Sequence, residues 1–353
     1  SLLTSVAWRE KAPYKTVVTH GWVVDGDGRK MSKSLGNGIV PEEIVEQYGA
    51  DILRLWVASS DYHVDIRISK DILKQLSEGY RKIRNTARFI LSCLGDFNPD
   101  TDLVTPEDYE PIDRWAIAKV NELLEKVKKS YDNFEFHTVY HSIHNFCVSA
   151  MSNFYLDVLK DRLYVEQSNS KTRRAAQTVI YHILNAITLM VAPIIPYTAD
   201  EIWQFIPHRG EESGENVMYN EIPDSFPVSA DESFLATWDK IHEVRDDVQK
   251  ALELARTAKI IGASLEAKVT LTADGELFAF ITSVKNELTK VFIVSDVEIV
   301  KGTEGEYKGE LPLFVTVKKA DGQKCERCWV YSETVGSDSE HPTICSRCAE
   351  ILK

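Results

Sequence analysis

No stretch of this sequence stays apolar long enough to cross a bilayer as a helix, which takes about 20 residues. The longest such run, around Ile187 to Ile195, is interrupted by Thr188 and Pro193, so no membrane role is expected. No secretory leader is expected either. The first residues, Ser1-Leu2-Leu3-Thr4, offer no initiator methionine and read as the middle of an amphipathic helix. The chain is therefore expected to be a piece of something longer. Cysteine is scarce, six in 353 residues, with Cys93 and Cys147 standing alone. That argues against a disulfide scaffold and points to a reducing, cytoplasmic compartment. Nor is there an excess of positive charge. The net is −13, the wrong sign for a protein that binds nucleic acid over its whole surface.

What is present describes a folded, mixed-charge protein. Hydrophobic residues make up 44% of a length that allows two or three cores. The charge is unevenly spread. Residues 70–92 carry Lys70, Lys74, Arg81, Lys82, Arg84 and Arg88 against Asp71 and Glu78, and the opening segment carries Arg9, Lys11, Lys15, Arg29, Lys30 and Lys33 against Glu10, Asp25 and Asp27. Acid gathers in 96–113 and 211–247. Local basic stripes on an acidic protein are compatible with RNA binding.

Periodicity divides the chain. Thr16 to Val24 reads as a strand ending at an Asp-Gly turn. Pro41 sits at a first helical position and Gly49 at a stop, with a second helix from about Asp51. This strand–loop–helix–helix order suits the end of a nucleotide-binding fold. A long helix begins near Lys70 with Ser69 as cap and an apolar stripe of Ile72, Leu76, Ile83, Ala87, Ile90 and Leu94. An acidic connector precedes three helices, about 112–129, 136–163 and 172–191, that should pack as a bundle. The stripe of the middle one is Val139/Ile143/Phe146/Ala150/Phe154/Val158. A short helix over 198–205, a polar linker and a helix over 233–259 follow. Then come strands at 267–271, 291–294, 298–300 and 313–317 with a helix at 276–289, a small α+β module. His137, His141 and His144 share one side of a helix without a clear acidic or thiolate partner and are assigned a structural role.

Two segments carry chemistry. Lys30-Met31-Ser32-Lys33-Ser34 lies between Asp25-Gly26-Asp27-Gly28 and Leu35-Gly36-Asn37. Two ammonium groups and two hydroxyls on a backbone kept pliable by glycine can wrap a polyphosphate and close as charge develops. At the other end, Cys325-x-x-Cys328 and Cys345-x-x-Cys348 are separated by sixteen residues. Two such turns can bring four thiolates onto one ion, with no position left open. Zinc is the expected metal and an iron centre the rival. His341 lies close by, but four cysteines already fill the shell. Trp329, next to Cys328, either packs under the metal knuckle or stacks on a nucleobase together with Arg327.

The string at 30–34 is the KMSKS signature of the class I aminoacyl-tRNA synthetases. With Tyr48-Gly49-Ala50-Asp51-Ile52-Leu53-Arg54-Leu55-Trp56, the chain resembles their isoleucine, valine and leucine branch. Trp56-Val57-Ala58-Ser59-Ser60-Asp61-Tyr62 and the four-cysteine tail look most like the isoleucine members of bacterial type, and Ala192-Pro193-Ile194-Ile195-Pro196-Tyr197-Thr198 resembles the family's anticodon-binding bundle. The resemblance implies a mainly α chain. It would hold the end of a Rossmann-type catalytic domain (1–60), a connector region meeting the tRNA stem (61–110), an anticodon-binding helix bundle (111–262), a small α+β module (263–320) and a zinc-binding tail (321–353). It implies activation of isoleucine by ATP with Mg²⁺ and transfer to tRNA(Ile), by a monomer. Lys33 would meet the β/γ-phosphates with Lys30 supporting it, and Met31, Ser32 and Ser34 would complete the ATP loop. Asn37 would pin that loop to the following helix. Arg81, Arg84, Arg88, Arg327 and Trp329 would face tRNA. No ligand for Mg²⁺ is visible. One departure matters: no His-x-Gly-His string occurs, so the chain alone is expected to make no adenylate. Two alternatives stay open, a non-catalytic tRNA-binding protein derived from such a synthetase and a valine-specific member of the branch.

Overall fold

The computed structural model describes residues 1–210 and 213–353. Helix α1 (Leu2–Arg9) buries none of its residues. The chain then runs exposed to β1 (Val23–Val24), followed by α2 (Pro41–Tyr48) and α3 (Ala50–Ser59). Gly49 between the two helices has φ +88°, a conformation open to glycine at little cost. It lets α3 begin without a connecting loop. β2 (Ile66–Arg67) pairs with β1 in parallel. The expected strand from Thr16 is thus much shorter. Only from Gly21 onward does the backbone meet a partner, with Gly21 N–H donating to Tyr62 and Ile66 N–H to Trp22, both at 2.8 Å. A strand without a ladder has unpaired amides and leaves the pairing to water.

Helix α4 (Lys70–Cys93) starts where Ser69 Oγ accepts the Ile72 N–H. It buries Leu73, Leu76, Ile83, Ala87 and Ile90, the predicted stripe with Leu73 in place of Ile72. Helix α5 (Pro111–Asp132) follows, opened by Glu110 and Asp113 in a reciprocal capping box. Next come α6 (Phe136–Asn145), a π-helical stretch over Phe146–Tyr155, α7 (Leu156–Val158), α8 (Lys160–Val165) and α9 (Lys171–Val191).

The π-helical stretch shifts the expected stripe. Val139, Ile143, Cys147, Met151, Tyr155 and Leu159 are each no more than 1% exposed, a spacing of four. An α-helix takes 3.6 residues per turn, so a straight one would rotate such a row away from its neighbours. Bonding from i to i+5 uses more residues per turn and keeps this row facing the core. Ala150 and Val158, assigned to the stripe on α-helical spacing, are left half-buried.

Buried charge organises the bundle. Asp113, fully buried, accepts from Arg162 Nη1 at 2.9 Å, Arg162 Nη2 at 2.8 Å and Tyr155 Oη at 2.7 Å. The acidic connector is a tether: Asp96 pairs with Arg173 at 2.7 Å, Asp102 with Arg174 at 3.3 Å and Asp108 with Lys171 at 2.6 Å. Hydrogen bonds from Arg173 hold the Asp96 carboxyl down to about 2. Helix α10 (Pro196–Trp203) is fixed to α3, because Asp51 Oδ2 accepts both the Thr198 N–H at 2.7 Å and the Thr198 hydroxyl at 2.6 Å. Arg54 reinforces the joint by donating to the carbonyls of Ile194 and Pro193.

Helix α11 (Glu232–Thr257) leads into a four-stranded sheet of order β4-β3-β6-β5. Its elements in chain order are β3 (Ala267–Ala273), α12 (Gly275–Ser283), α13 (Lys285–Phe292), β4 (Asp296–Lys301), β5 (Tyr307–Lys308) and β6 (Leu313–Lys319). The helix expected at 276–289 is therefore two, and the strand expected at 291–294 does not form. Leu288, Val291 and Phe292 are fully buried at helical spacing on α13, and Ile293 at φ +57° turns the chain toward β4. The tail comprises β7 (Gln323–Lys324), β8 (Tyr331–Ser332) and α14 (Ser346–Leu352). It has a core of its own around Val165 and the four cysteines.

Candidate functional site

The loop after β1 is built on a tight turn. Asp25 N–H donates to the Arg29 carbonyl and Gly28 N–H to the Asp25 carbonyl, both at 2.9 Å, with Gly28 at φ +82°. Lys30 bridges back to Val24. Beyond it, Leu35 N–H reaches the Ser32 carbonyl and Gly36 N–H the Lys33 carbonyl at 3.3 Å, while the hydroxyls of Ser32 and Ser34 lie 3.1 Å apart. Lys30 and Lys33 are exposed, and neither is among the ion-paired residues described. Met31 is half-buried against the core. A small turn thus brings together in sequence two exposed ammonium groups and two hydroxyls, the donor types a polyphosphate needs.

Asn37 works in the opposite direction from the one expected. It reaches back into the loop instead of forward to α2. Its Oδ1 accepts the Ser32 N–H at 2.9 Å, and its Nδ2 donates to Asp25 Oδ2 at 2.8 Å and the Lys30 carbonyl at 3.3 Å. The part played by Asp25 was missed in the sequence. The Asp-Gly-Asp-Gly string signals a turn, but not that its first carboxylate bonds to a residue twelve positions on.

The residues expected to face RNA fall into two groups. On α4, Arg81 pairs with Glu78 at 2.6 Å and Arg84 lies 3.8 Å from Glu201, all well exposed, and Arg88 is exposed as well. On the tail, Trp329 is 61% exposed, has φ +66° and carries the Lys324 ammonium 5.1 Å from its ring centre. The indole stands outside the knuckle. Arg327 turns the other way and donates to the Val165 carbonyl at 2.7 Å. Its guanidinium fastens the tail to the end of α8.

The four cysteines converge. One Sγ from each of Cys325, Cys328, Cys345 and Cys348 lies within 4.8 Å of the others, all four side chains are buried, and none is in a disulfide. Cys345 N–H points at Cys325 Sγ from 3.3 Å, a donor that favours thiolate. Four soft sulfurs around one point fit a closed tetrahedral zinc site of structural type. His341 is not in the cluster. Docking adds to it: Arg347 grips Asp161 with two bonds of 2.9 and 2.7 Å, and Gln167 Nε2 donates to the Ile351 carbonyl at 2.9 Å. His137, His141 and His144 line α6, and among the described residues the cysteines alone form a metal-type group.

Three family models match the chain: tRNA synthetases class I (I, L, M and V) over residues 1–69, the anticodon-binding domain of tRNA ligase over 113–271, and the zinc finger found in FPG and IleRS over 322–351. Isoleucine–tRNA ligase of Syntrophotalea carbinolica is 51% identical over 355 residues, covering all of this chain and 38% of that protein. The enzyme of the same name from Bacillus mycoides is 50% identical over 357 residues with the same coverage. The chain thus spans 38% of the length of these curated relatives. A solved LeuRS–tRNA–LeuAMS complex from Agrobacterium radiobacter aligns over 76% of this chain and 29% of its own, at 18% identity and TM-score 0.46. That likeness is too loose to decide anything.

Proposed function

Because the chain belongs to the class I aminoacyl-tRNA synthetases, we propose that it works within an isoleucine–tRNA ligase, supplying the ATP-phosphate loop, the anticodon-binding bundle and a zinc-stapled tail. The reaction is activation of isoleucine by Mg²⁺-ATP, with loss of pyrophosphate, and transfer of the acyl group to tRNA(Ile). The observation that carries this reading is the pair of exposed ammonium groups, Lys30 and Lys33, without an ion-pair partner among the described residues and raised on a braced turn. In-line attack on the α-phosphate builds charge on the departing β/γ-phosphates, and positioning together with cations does most of the catalytic work in such a transfer. Lys33 meets that charge as a catalytic residue and Lys30 supports it. Ser32 and Ser34 donate to phosphate oxygens.

The tRNA runs along the exposed basic side of α4, with Arg81, Arg84 and Arg88 on its backbone. Trp329 offers a stacking face to an unpaired base. Holding a tryptophan at positive φ costs of order 1 kcal/mol or more, which supports a use for its outward pose. Arg327, turned toward Val165, contributes by seating the tail. The division into 1–60, 61–110, 111–262, 263–320 and 321–353 follows the same reading, as do a monomeric state and a cytoplasmic location. With no His-x-Gly-His string in the sequence, this chain by itself forms no adenylate.

The test is Lys33→Ala in the complete synthetase. Isoleucine-dependent pyrophosphate exchange should fall at least a hundredfold, with the midpoint of thermal unfolding unchanged. Exchange within twofold of wild type would remove the assignment.

A further inference from the structure

Asp25 is 7% exposed although it sits in a surface turn. Its two oxygens accept four hydrogen bonds. Oδ1 takes the Asp27 N–H at 3.1 Å and the Arg29 N–H at 2.8 Å. Oδ2 takes Arg29 Nε at 3.0 Å and Asn37 Nδ2 at 2.8 Å. A simple Asx turn needs only the first oxygen. The second joins the two ends of the loop, residue 25 to residue 37. With the bonds Asn37 makes to the Ser32 N–H and the Lys30 carbonyl, the backbone is held on both sides of Met31. The turn itself is seated. Ile68 N–H donates to the Val24 carbonyl at 3.0 Å, and Gly26 lies so close to Ser69, the cap of α4, that a Cβ there would come within 3.1 Å of the serine's own.

The cage divides the signature loop. Residues 30–32 are fixed by Asp25, Asn37 and the bridge to Val24. Among the described residues, 33–36 are tied only by two bonds of 3.3 Å and by the bonds of the Ser32 hydroxyl. Lys30 therefore stands on the fixed half and Lys33 on the half free to move.

We propose that Asp25 is a positioning residue for adenylate formation, acting through Asn37 to preset the backbone that carries Lys30 while leaving the Lys33 turn free to close on the phosphates. The inference rests on the reading of the loop given above. A ligand with mobile triphosphate oxygens is best met by one fixed cation and one mobile cation: the first gives register, the second follows the charge as it develops. The Asp25 carboxyl suits a fixed hub. The Asn37 amide, with help from the Arg29 N–H, holds it down to about 2, so it is ionised at every pH at which the enzyme works.

The test is a double-mutant cycle in the complete synthetase, read by isoleucine-dependent pyrophosphate exchange. Asp25→Ala should lower kcat at least tenfold with KM for isoleucine within twofold of wild type. Because Asp25 acts through the backbone under Lys30, Asp25→Ala combined with Lys30→Ala should be within twofold of the worse single variant, whereas independent roles multiply. Asn37→Ala removes the same cage from its other end and should show the same kcat loss and the same non-additivity with Lys30→Ala. It decides the matter if Asp25→Ala does not fold. A kcat for Asp25→Ala or Asn37→Ala within twofold of wild type, or multiplicative losses with Lys30→Ala, would overturn the proposal. The Lys33→Ala result separates the two ideas. If Lys33→Ala abolishes exchange and the cage variants do not reduce it, only the present inference fails. If Lys33→Ala is also silent, the reading of the loop fails with it.

Discussion

The loop at residues 25–37 and the tail at 321–353 face the same difficulty and meet it with different bonds. Each is a short segment with too little apolar surface to hold its own shape. The loop is organised around one carboxylate that accepts four separate hydrogen bonds, each individually modest against water. The tail is organised around four thiols converging on one point, where a structural zinc supplies about 10–16 kcal/mol in small finger peptides. The difference suits what each must do. A loop that follows developing charge needs bonds that can be exchanged one at a time. A platform that presents an indole needs to stay still. Both are anchored on the same helical body, the loop at the start of α4 through Ser69, the tail on α8 through Asp161 in its first turn and Val165 at its end.

The comparison breaks most sharply at the metal. Cys348→Ser removes one of four ligands from a site without a spare. Zinc content should fall from one per chain to near zero, and amides in residues 321–353 should lose their hydrogen-exchange protection. The bundle, with its separate core, should melt within a few degrees of the parent. A tail that keeps its protection with the metal chelated would mean that packing on Val165 suffices and the contrast drawn here is wrong.

How much of this was legible beforehand depends on the range of the bonds involved. Ser69 as a cap, Pro41 as a start and the paired cysteines could be read because each rests on neighbours within four residues. The row from Val139 to Leu159 misled, because the sequence shows the spacing of four but not the wide turns that make it a single face. The strand expected from Thr16 has the right residues and no partner before Gly21. Asp25 with Asn37, Asp51 with Thr198, and Arg347 with Asp161 join positions from twelve to 186 apart. No local pattern announces such pairs. Arg327 shows the same limit for the site: its type suited RNA, but a carbonyl on α8 lies within its reach.

Acid should separate the bundle from the loop. His182 lies on α9 with its ring 4.6 Å from that of Phe226. Burial, with the nearby charge of Arg209, pushes its imidazole down to about 4. A histidine kept neutral in the fold contributes fully above its ordinary value near 6.5. That contribution shrinks as pH falls toward 4, because the unfolded chain takes up a proton that the folded chain refuses. The loss is on the order of 2 kcal/mol over that window. The Asp25 carboxyl has the opposite sign and another window. Its stabilising contribution is complete above about 3.8 and is lost as pH falls through about 2. Between pH 6.5 and 4.5 the urea midpoint of the bundle should therefore drop while the Asn37 side-chain amide keeps its NMR shift. His182→Leu should flatten the pH dependence of the midpoint. A slope unchanged by that substitution would assign the acid sensitivity to another group.

The smallest effect tests whether stapling and docking in the tail are separate. Arg347 and Asp161 form a bidentate pair, each about half exposed. Pairs of this kind contribute roughly 0.5–1 kcal/mol. Arg347→Ala should leave one zinc per chain and full protection inside the tail, because no thiol is touched. The contact of Arg327 with Val165 and of Gln167 with Ile351 should loosen, seen as faster exchange at those positions and a melting point lower by a few degrees. Arg347→Lys keeps the charge but loses the two-pronged grip, so it should fall between alanine and the parent. If Arg347→Ala releases zinc, the metal site depends on its seat. The tail would then be a continuation of the bundle, not a unit held by its own ion.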